Sequence, residues 1–327
     1  MSARDDHEAA TPGGYGDSML DATRPLPRPA PPAARPGPGP APRRAPRGVA
    51  VAVAVLAALG VHLTWQLFVA TARGQRVDDL AFDGARHGQG TLWVVAEPVL
   101  DVVSNTFVLA GIGVAVLLAL VRRRWVLALQ VTALIVGANV TTQVLKHWVY
   151  DRPELLDGWV GPNALPSGHT TVAASIAAAL LLAAPRGWRP LVAVAGSAWA
   201  AATGLSTLVG QWHRPSEVVA ALLVVLAWGA AACALTPASS LDRPRSPGDR
   251  MATPGSKVVA GLLLLGGAAA AGVAAVALGD LTSGSQKVPL DGDVTAYAGG
   301  VCGVLAVTAL VFAVLLLLRQ ASARPAR

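Results

Sequence analysis

Two histidines, a pair of cations and one carboxylate stand out in a chain that otherwise offers little chemistry. They lie in four short segments: Lys146-His147-Trp148-Val149-Tyr150-Asp151-Arg152-Pro153, Pro166-Ser167-Gly168-His169, Ser206-Thr207-Leu208-Val209-Gly210-Gln211-Trp212-His213 and Arg214-Pro215-Ser216-Glu217. Each adjoins an apolar run, and ionisable groups near a membrane are costly enough that they usually mark function. Lys146 and Arg152 are fixed cations suited to an anion, and a guanidinium can grip two phosphate oxygens in a fork. Pro-Ser-Gly ahead of an apolar helix leaves backbone N–H groups at a positive helix end, a ready anion site. His169 begins that helix. His213 precedes the next one. If that helix starts near Pro215, a favoured first-turn residue, Glu217 falls in its first turn and can reach His213. A carboxylate bonded to one imidazole nitrogen fixes the tautomer and raises the basicity of the other. Two imidazoles, two cations, a helix terminus and an orienting carboxylate are equipped for phosphoryl transfer without a metal or other cofactor.

The elements that must position these groups are membrane helices. Of 327 residues, 53% are hydrophobic and 14% charged, and the mean hydropathy is +0.51. Soluble domains carry about 25% charged residues, so an ordinary soluble domain is excluded, as are a disordered chain and a disulfide framework. Cys233 and Cys302 both lie inside apolar runs and read as core residues. The expected fold is all-α, a polytopic membrane bundle. Its candidate spans are 49–71, 100–121, 125–145, 169–184, 190–210, 216–236, 257–279 and 294–318, most of them near the ~20 residues a crossing requires. Residues 1–48, rich in Pro and Arg, read as a disordered tail. Residues 49–236 read as a six-span domain, 237–256 as a linker broken by Pro, Gly and charge, 257–318 as two additional spans, and 319–327 as a second tail.

The net charge of +7 bears on orientation rather than on nucleic acid, because the cations cluster at span ends. Arg43, Arg44 and Arg47, then Arg122 to Arg124, Arg186 and Arg189, Arg243 to Lys257, and Arg319 to Arg327 all fall on one side if eight spans are counted. Cytoplasmic loops carry such an excess. Both termini are therefore expected in the cytoplasm of a multi-pass cell-membrane protein, with the four polar segments on the opposite face. Only three of the 26 cations are Lys, which with the abundant Ala, Gly and Pro resembles coding in a GC-rich bacterial genome.

The polar segments resemble the three signature motifs of the type 2 phosphatidic acid phosphatase family, relatives of the vanadium haloperoxidases and glucose-6-phosphatase. The family patterns are Lys-six-Arg-Pro, Pro-Ser-Gly-His and Ser-Arg-five-His-three-Asp. Pro166 to His169 matches the second in full, and Ser206, His213 and Glu217 match the third in spacing. Three positions depart: five residues rather than six separate Lys146 from Arg152, Glu217 replaces Asp, and Thr207 stands where the family places Arg. The last removes a phosphate-binding cation, and Arg214 is the candidate replacement if its side chain turns inward. The resemblance covers roughly 49–236. It implies that His213 attacks phosphorus, His169 protonates the leaving alkoxide, Glu217 orients His213, and Lys146, Arg152 and the Ser167 and Gly168 N–H groups hold the phosphoryl oxygens. It implies a lipid phosphate or pyrophosphate as substrate, with phosphatidic acid, phosphatidylglycerol phosphate and polyprenyl phosphates as candidates. A phosphotransferase, and a non-catalytic lipid-phosphate binder or transporter on the same helices, stand as alternatives; the oligomeric state is open.

Other polar residues have plainer readings. His62, His87 and His147 are structural or solvated. Asn139, Gln143 and Lys146 share one helix face and either line the pocket or bond between helices. Asp151 and Asp157 are solvated carboxylates. The polar, Gly-rich stretch 72–99 reads as a loop that covers the site or meets headgroups. Most of the nine Trp residues sit near span ends, as interfacial anchors do.

Overall fold

The computed structural model describes residues 45–102, 124–157, 161–236, 254–283 and 290–322, with a few positions between 110 and 121. These residues fold as helices: α1 (Ala45–Phe68), α2 (Ala72–Gly84), α3 (Arg86–Val102), α4 (Trp125–Val144) ending in a π-helical turn (Leu145–Val149), α5 (Gly168–Ala183), α6 (Arg189–Val209), α7 (Pro215–Ala234), α8 (Pro254–Ser283) and α9 (Gly292–Ser322). Six stretches, in α1, α4 with its π turn, α6, α7, α8 and α9, are long and apolar enough to cross a membrane; α5 is apolar but shorter. The protein is thus an all-α, polytopic helical bundle, as its composition requires. The N-terminal tail through residue 44, most of the 100–121 candidate span, the linker over 237–253 and residues 323–327 lie outside the described residues.

One expectation is corrected. The stretch 72–99 is not a loop but two helices, α2 and the start of α3. Thr71 caps α2: its hydroxyl accepts from the Gly74 N–H (3.1 Å), satisfying one of the donors that a helix start leaves open. The polar residues of this stretch then recur at helical spacing instead of scattering through a loop.

The centre of the bundle is α5. Its Ala-rich sequence buries residues 173–179 on every side. A helix so slender lets its neighbours approach closely, which in a membrane supplies packing that hydrophobicity cannot. The last helix belongs to this core as well. Phe312, Leu315 and Leu316 of α9 are fully buried, and Phe312 lies so near Gly196 of α6 that a Cβ there would sit 2.9 Å from the ring. Leu315 fills the same role against Gly229 of α7, at 2.6 Å. Helix α9 is therefore packed into the bundle rather than appended to it.

Three helix boundaries set the site. Chain α4 relaxes from α to π winding at Lys146, a rare geometry that occurs mostly at functional positions. Ser167 caps α5, with extended backbone and its hydroxyl accepting from the Thr170 N–H. Between α6 and α7 the chain turns at Gln211, whose φ of 55° is left-handed. The Thr207 carbonyl holds that turn, accepting from the N–H groups of Trp212 (3.0 Å) and His213 (3.2 Å). Pro215 then opens α7 at its first position.

Candidate active site

Glu217 is the organising residue. It lies in the first turn of α7, 1% exposed. Its Oε2 accepts from His213 Nδ1 at 2.6 Å and from the Arg214 N–H at 3.2 Å, so the carboxylate both orients the imidazole and satisfies the helix start. With Nδ1 committed to Glu217, His213 presents Nε2 as its basic nitrogen. The Glu217 carbonyl accepts from the Ser167 N–H (2.9 Å), which ties the start of α5 to the start of α7. One residue thereby brings His169 and His213 together: their ring centroids are 6.2 Å apart, roughly edge to face.

Aromatic rings wall this pair. The Trp212 ring lies 5.3 Å from His169, and Trp93 of α3 meets Trp212 edge-on at 6.2 Å. Trp212 is therefore part of the site and not simply an interfacial anchor. Lys146, at the π turn, stands close enough for its charge to act on both His169 and Glu217. Gln143 lies beside Gly168, its Nε2 3.8 Å from where a Cβ at Gly168 would sit. Asn139, on the same face, instead bonds Ser175 of α5 at 3.3 Å and so joins helices.

The role expected for the Ser167 backbone is corrected. Its N–H is already spent on the Glu217 carbonyl, and its hydroxyl, which caps the helix as an acceptor, donates to Thr170 Oγ1 at 3.1 Å, so it has no donor directed at a phosphoryl group. The Gly168 and His169 N–H groups at the front of α5 take no partner among the described residues. Ordinary space surrounds a Cβ at Gly168, so packing does not demand a glycine there.

Thr207 contributes no cation and no donor to the pocket. It is fully buried, and its hydroxyl turns back to the Gly204 carbonyl of its own helix at 2.6 Å. Ser206 contributes its carbonyl, which accepts from the Gly210 N–H. Arg214 does turn inward: its side chain is 12% exposed, Nε donates to Asp79 Oδ1 at 2.6 Å, and Nη1 lies 3.6 Å from Glu217 Oε1. Burial works against the Arg214 charge, but Glu217 and Asp79 outweigh it and hold the guanidinium above its ordinary pKa. Arg152, 2% exposed, donates from Nη2 to the same Asp79 oxygen at 3.1 Å. Burial and the neighbouring Arg214 lower its pKa, while Asp79 opposes them.

Several supporting residues carry no motif. Asn163 donates to the carbonyls of Lys146 (3.2 Å), Tyr150 (2.9 Å) and Leu165 (3.3 Å), fixing the segment between the first two polar clusters. Trp65 of α1 stacks on Tyr150 at 5.0 Å and donates to the Asp151 carbonyl. Asp78 accepts from the Ser216 N–H through Oδ1 at 3.2 Å and from the Ser216 hydroxyl through Oδ2 at 2.5 Å. The sequence signal was present for Asp78 and Asp79, two adjacent carboxylates in a membrane protein, but reading 72–99 as a loop hid it.

Burial pushes Asp78 from 3.8 up to about 7, although the Ser216 bonds oppose the shift. The folded protein therefore keeps this proton over a range where the unfolded chain has lost it. Stability from this group is present at acid pH and is lost as pH rises from about 4 to about 7, by roughly 4 kcal/mol at most. The Asp78→Asn variant, which preserves the shape, is expected to lack this dependence. Melting temperatures in detergent at pH 5 and pH 7.5 check it; parallel pH profiles for the two proteins would contradict the assignment.

Fold and site together define a polytopic α-helical membrane protein with paired histidines and clustered cations at the ends of its helices. Residues 127–241 match the model of the PAP2 superfamily. Comparison with curated proteins and with solved structures gives no match. This match points to phosphatase activity on phosphate esters, associated with a membrane. The match is shorter than the 49–236 expected, and α1, α2, α3, α8 and α9 lie outside it.

Proposed function

We propose that this protein is a metal-independent phosphatase that hydrolyses a lipid phosphate or pyrophosphate through a phosphohistidine, on the extracytoplasmic side of the cell membrane. The observation that carries the reading is the His213–Glu217 pair at 2.6 Å with the His169 ring facing it across 6.2 Å. His213 Nε2 attacks phosphorus as the bond to the leaving oxygen breaks; His169 gives that oxygen its proton. His169, now neutral, takes a proton from water, which attacks the phosphohistidine and breaks the P–N bond. Lys146, Arg152, Arg214 and the Gly168 N–H group stabilise charge on the phosphoryl oxygens, the term usually worth most in such sites. His213, His169, Glu217 and Lys146 all lie at ends of apolar helices. A headgroup at that depth reaches them while its chains stay in the bilayer, which favours a lipid substrate. The distribution of Arg and Lys among the loops supports the extracytoplasmic face.

The rival, binding without turnover, draws on Thr207. The test is purified protein in detergent with phosphatidic acid, phosphatidylglycerol phosphate and polyprenyl phosphates and pyrophosphates. Phosphate release that persists in EDTA is expected. Binding of these lipids with no release supports the rival, and loss of activity in EDTA counts against the metal-free mechanism.

A further inference from the structure

Helix α2 lies outside the segment that matches the superfamily, yet one of its faces is built into the site. Gln75, Asp79 and Phe82 fall at i, i+4 and i+7, on one side of a helix. Gln75 is fully buried and its Nε2 donates to the Pro153 carbonyl at 2.7 Å, holding the chain just after Arg152. Asp79 Oδ1 accepts from both Arg152 and Arg214. The Phe82 ring lies under the Arg214 guanidinium at 5.0 Å, a cation–π contact, and its carbonyl accepts from Gln211 at 2.8 Å, at the turn before His213. All five contacts converge on two guanidiniums or on residues close to them in the chain.

Two buried guanidiniums repel one another and stay together only around a counter-charge. Asp79 supplies it. It does so through one oxygen from one nitrogen of each arginine, not as a closed fork with either: Asp79 Oδ2 and Arg152 Nε are buried and have no partner among the described residues. Sharing this oxygen sets the two cations side by side. We propose that Asp79 is a positioning residue of the phosphate site, holding Arg152 and Arg214 together so that Arg214 supplies the guanidinium that position 207 lacks. The proposal rests on the phosphoryl-transfer reading above, and α2 becomes a required part of the site.

The experiment is a double-mutant cycle on the full-length protein in detergent, with kcat/KM for phosphatidic acid and melting temperature measured together. The proteins are the parent, Asp79→Asn, Arg214→Ala and the double variant. Asp79→Asn keeps the shape and is expected to lower kcat/KM by about 10²-fold in the parent. In the Arg214→Ala background the same change is expected to cost less than about tenfold, because only Arg152 remains to be positioned. A residue with a merely structural role costs the same in both backgrounds. That result, or an Asp79→Asn protein as fast as the parent, overturns the proposal. A parent that releases no phosphate overturns the hydrolase reading instead. The affinity of the same four proteins for inorganic phosphate then decides the Asp79 proposal: the effect of Asp79→Asn must shrink in the Arg214→Ala background, and an equal effect in both overturns it.

Discussion

His213→Ala should lose phosphate release by about 10⁴-fold or more, down to the background of the assay, whichever lipid phosphate the parent accepts. The size follows from the role. A nucleophile that forms a covalent intermediate splits one difficult displacement into two easier ones, and its removal costs more than the loss of a single donor. Water cannot take its place efficiently, because it forms no covalent intermediate and leaves a single difficult displacement. The covalent step gives a second readout. Brief reaction of the parent with a lipid carrying labelled phosphate, followed by quenching in alkali, should leave label on protein as the acid-labile, base-stable phosphohistidine. His213→Ala should carry none. Because His213 is buried at the start of α7, the melting temperature of the variant must be shown to stay near the parent's. A folded His213→Ala protein that still turns over within tenfold of the parent would remove His213 from the chemistry.

Much of this architecture was legible because its signals are local. The predicted span 190–210 is found as Arg189–Val209, and 216–236 as Pro215–Ala234, since Pro marks the start of each and a continuous apolar run needs no partner to declare itself. The reach of Glu217 to His213 was legible for the same reason: four residues at a helix start are one turn. What could not be read depends on contacts distant in sequence. Asp79 meets residues 73 and 135 positions away, and nothing in a polar, Gly-rich stretch announces which side chains it will touch. The Ser167 N–H could be assigned to a ligand only while its bond to Glu217 was unknown. That bond joins two helix starts 50 positions apart, and no spacing rule foretells it. The inward turn of Arg214 likewise follows from a counter-ion on α2 rather than from its own neighbours in the chain.

His169→Ala is expected to separate substrates by their leaving groups. With a lipid phosphate, whose departing oxygen is a strongly basic alkoxide, removal of the positioned acid should slow the phosphorylation of His213 by about 10³-fold, within the 10²–10⁴ range that acid–base assistance supplies. With an aryl phosphate such as p-nitrophenyl phosphate the departing phenolate is stable without a proton. The same variant should then lose much less in the first step, about tenfold, and accumulate phosphoenzyme because water is no longer activated for the second. His213→Ala should be equally inactive on both substrates, since no leaving group replaces a nucleophile. The contrast assigns the two imidazoles to different jobs, and it does so without depending on absolute rates or on the fraction of protein that is active in detergent. The geometry makes the assignment directional. His213 is held through Nδ1 by a buried carboxylate, which leaves Nε2 as the nitrogen directed to attack phosphorus. His169 sits at the N-terminal end of α5 with Lys146 close enough to act on it, a position that favours giving a proton away over attacking phosphorus. Equal losses on alkyl and aryl phosphates in His169→Ala would show that His169 positions the phosphoryl group instead of protonating the leaving oxygen.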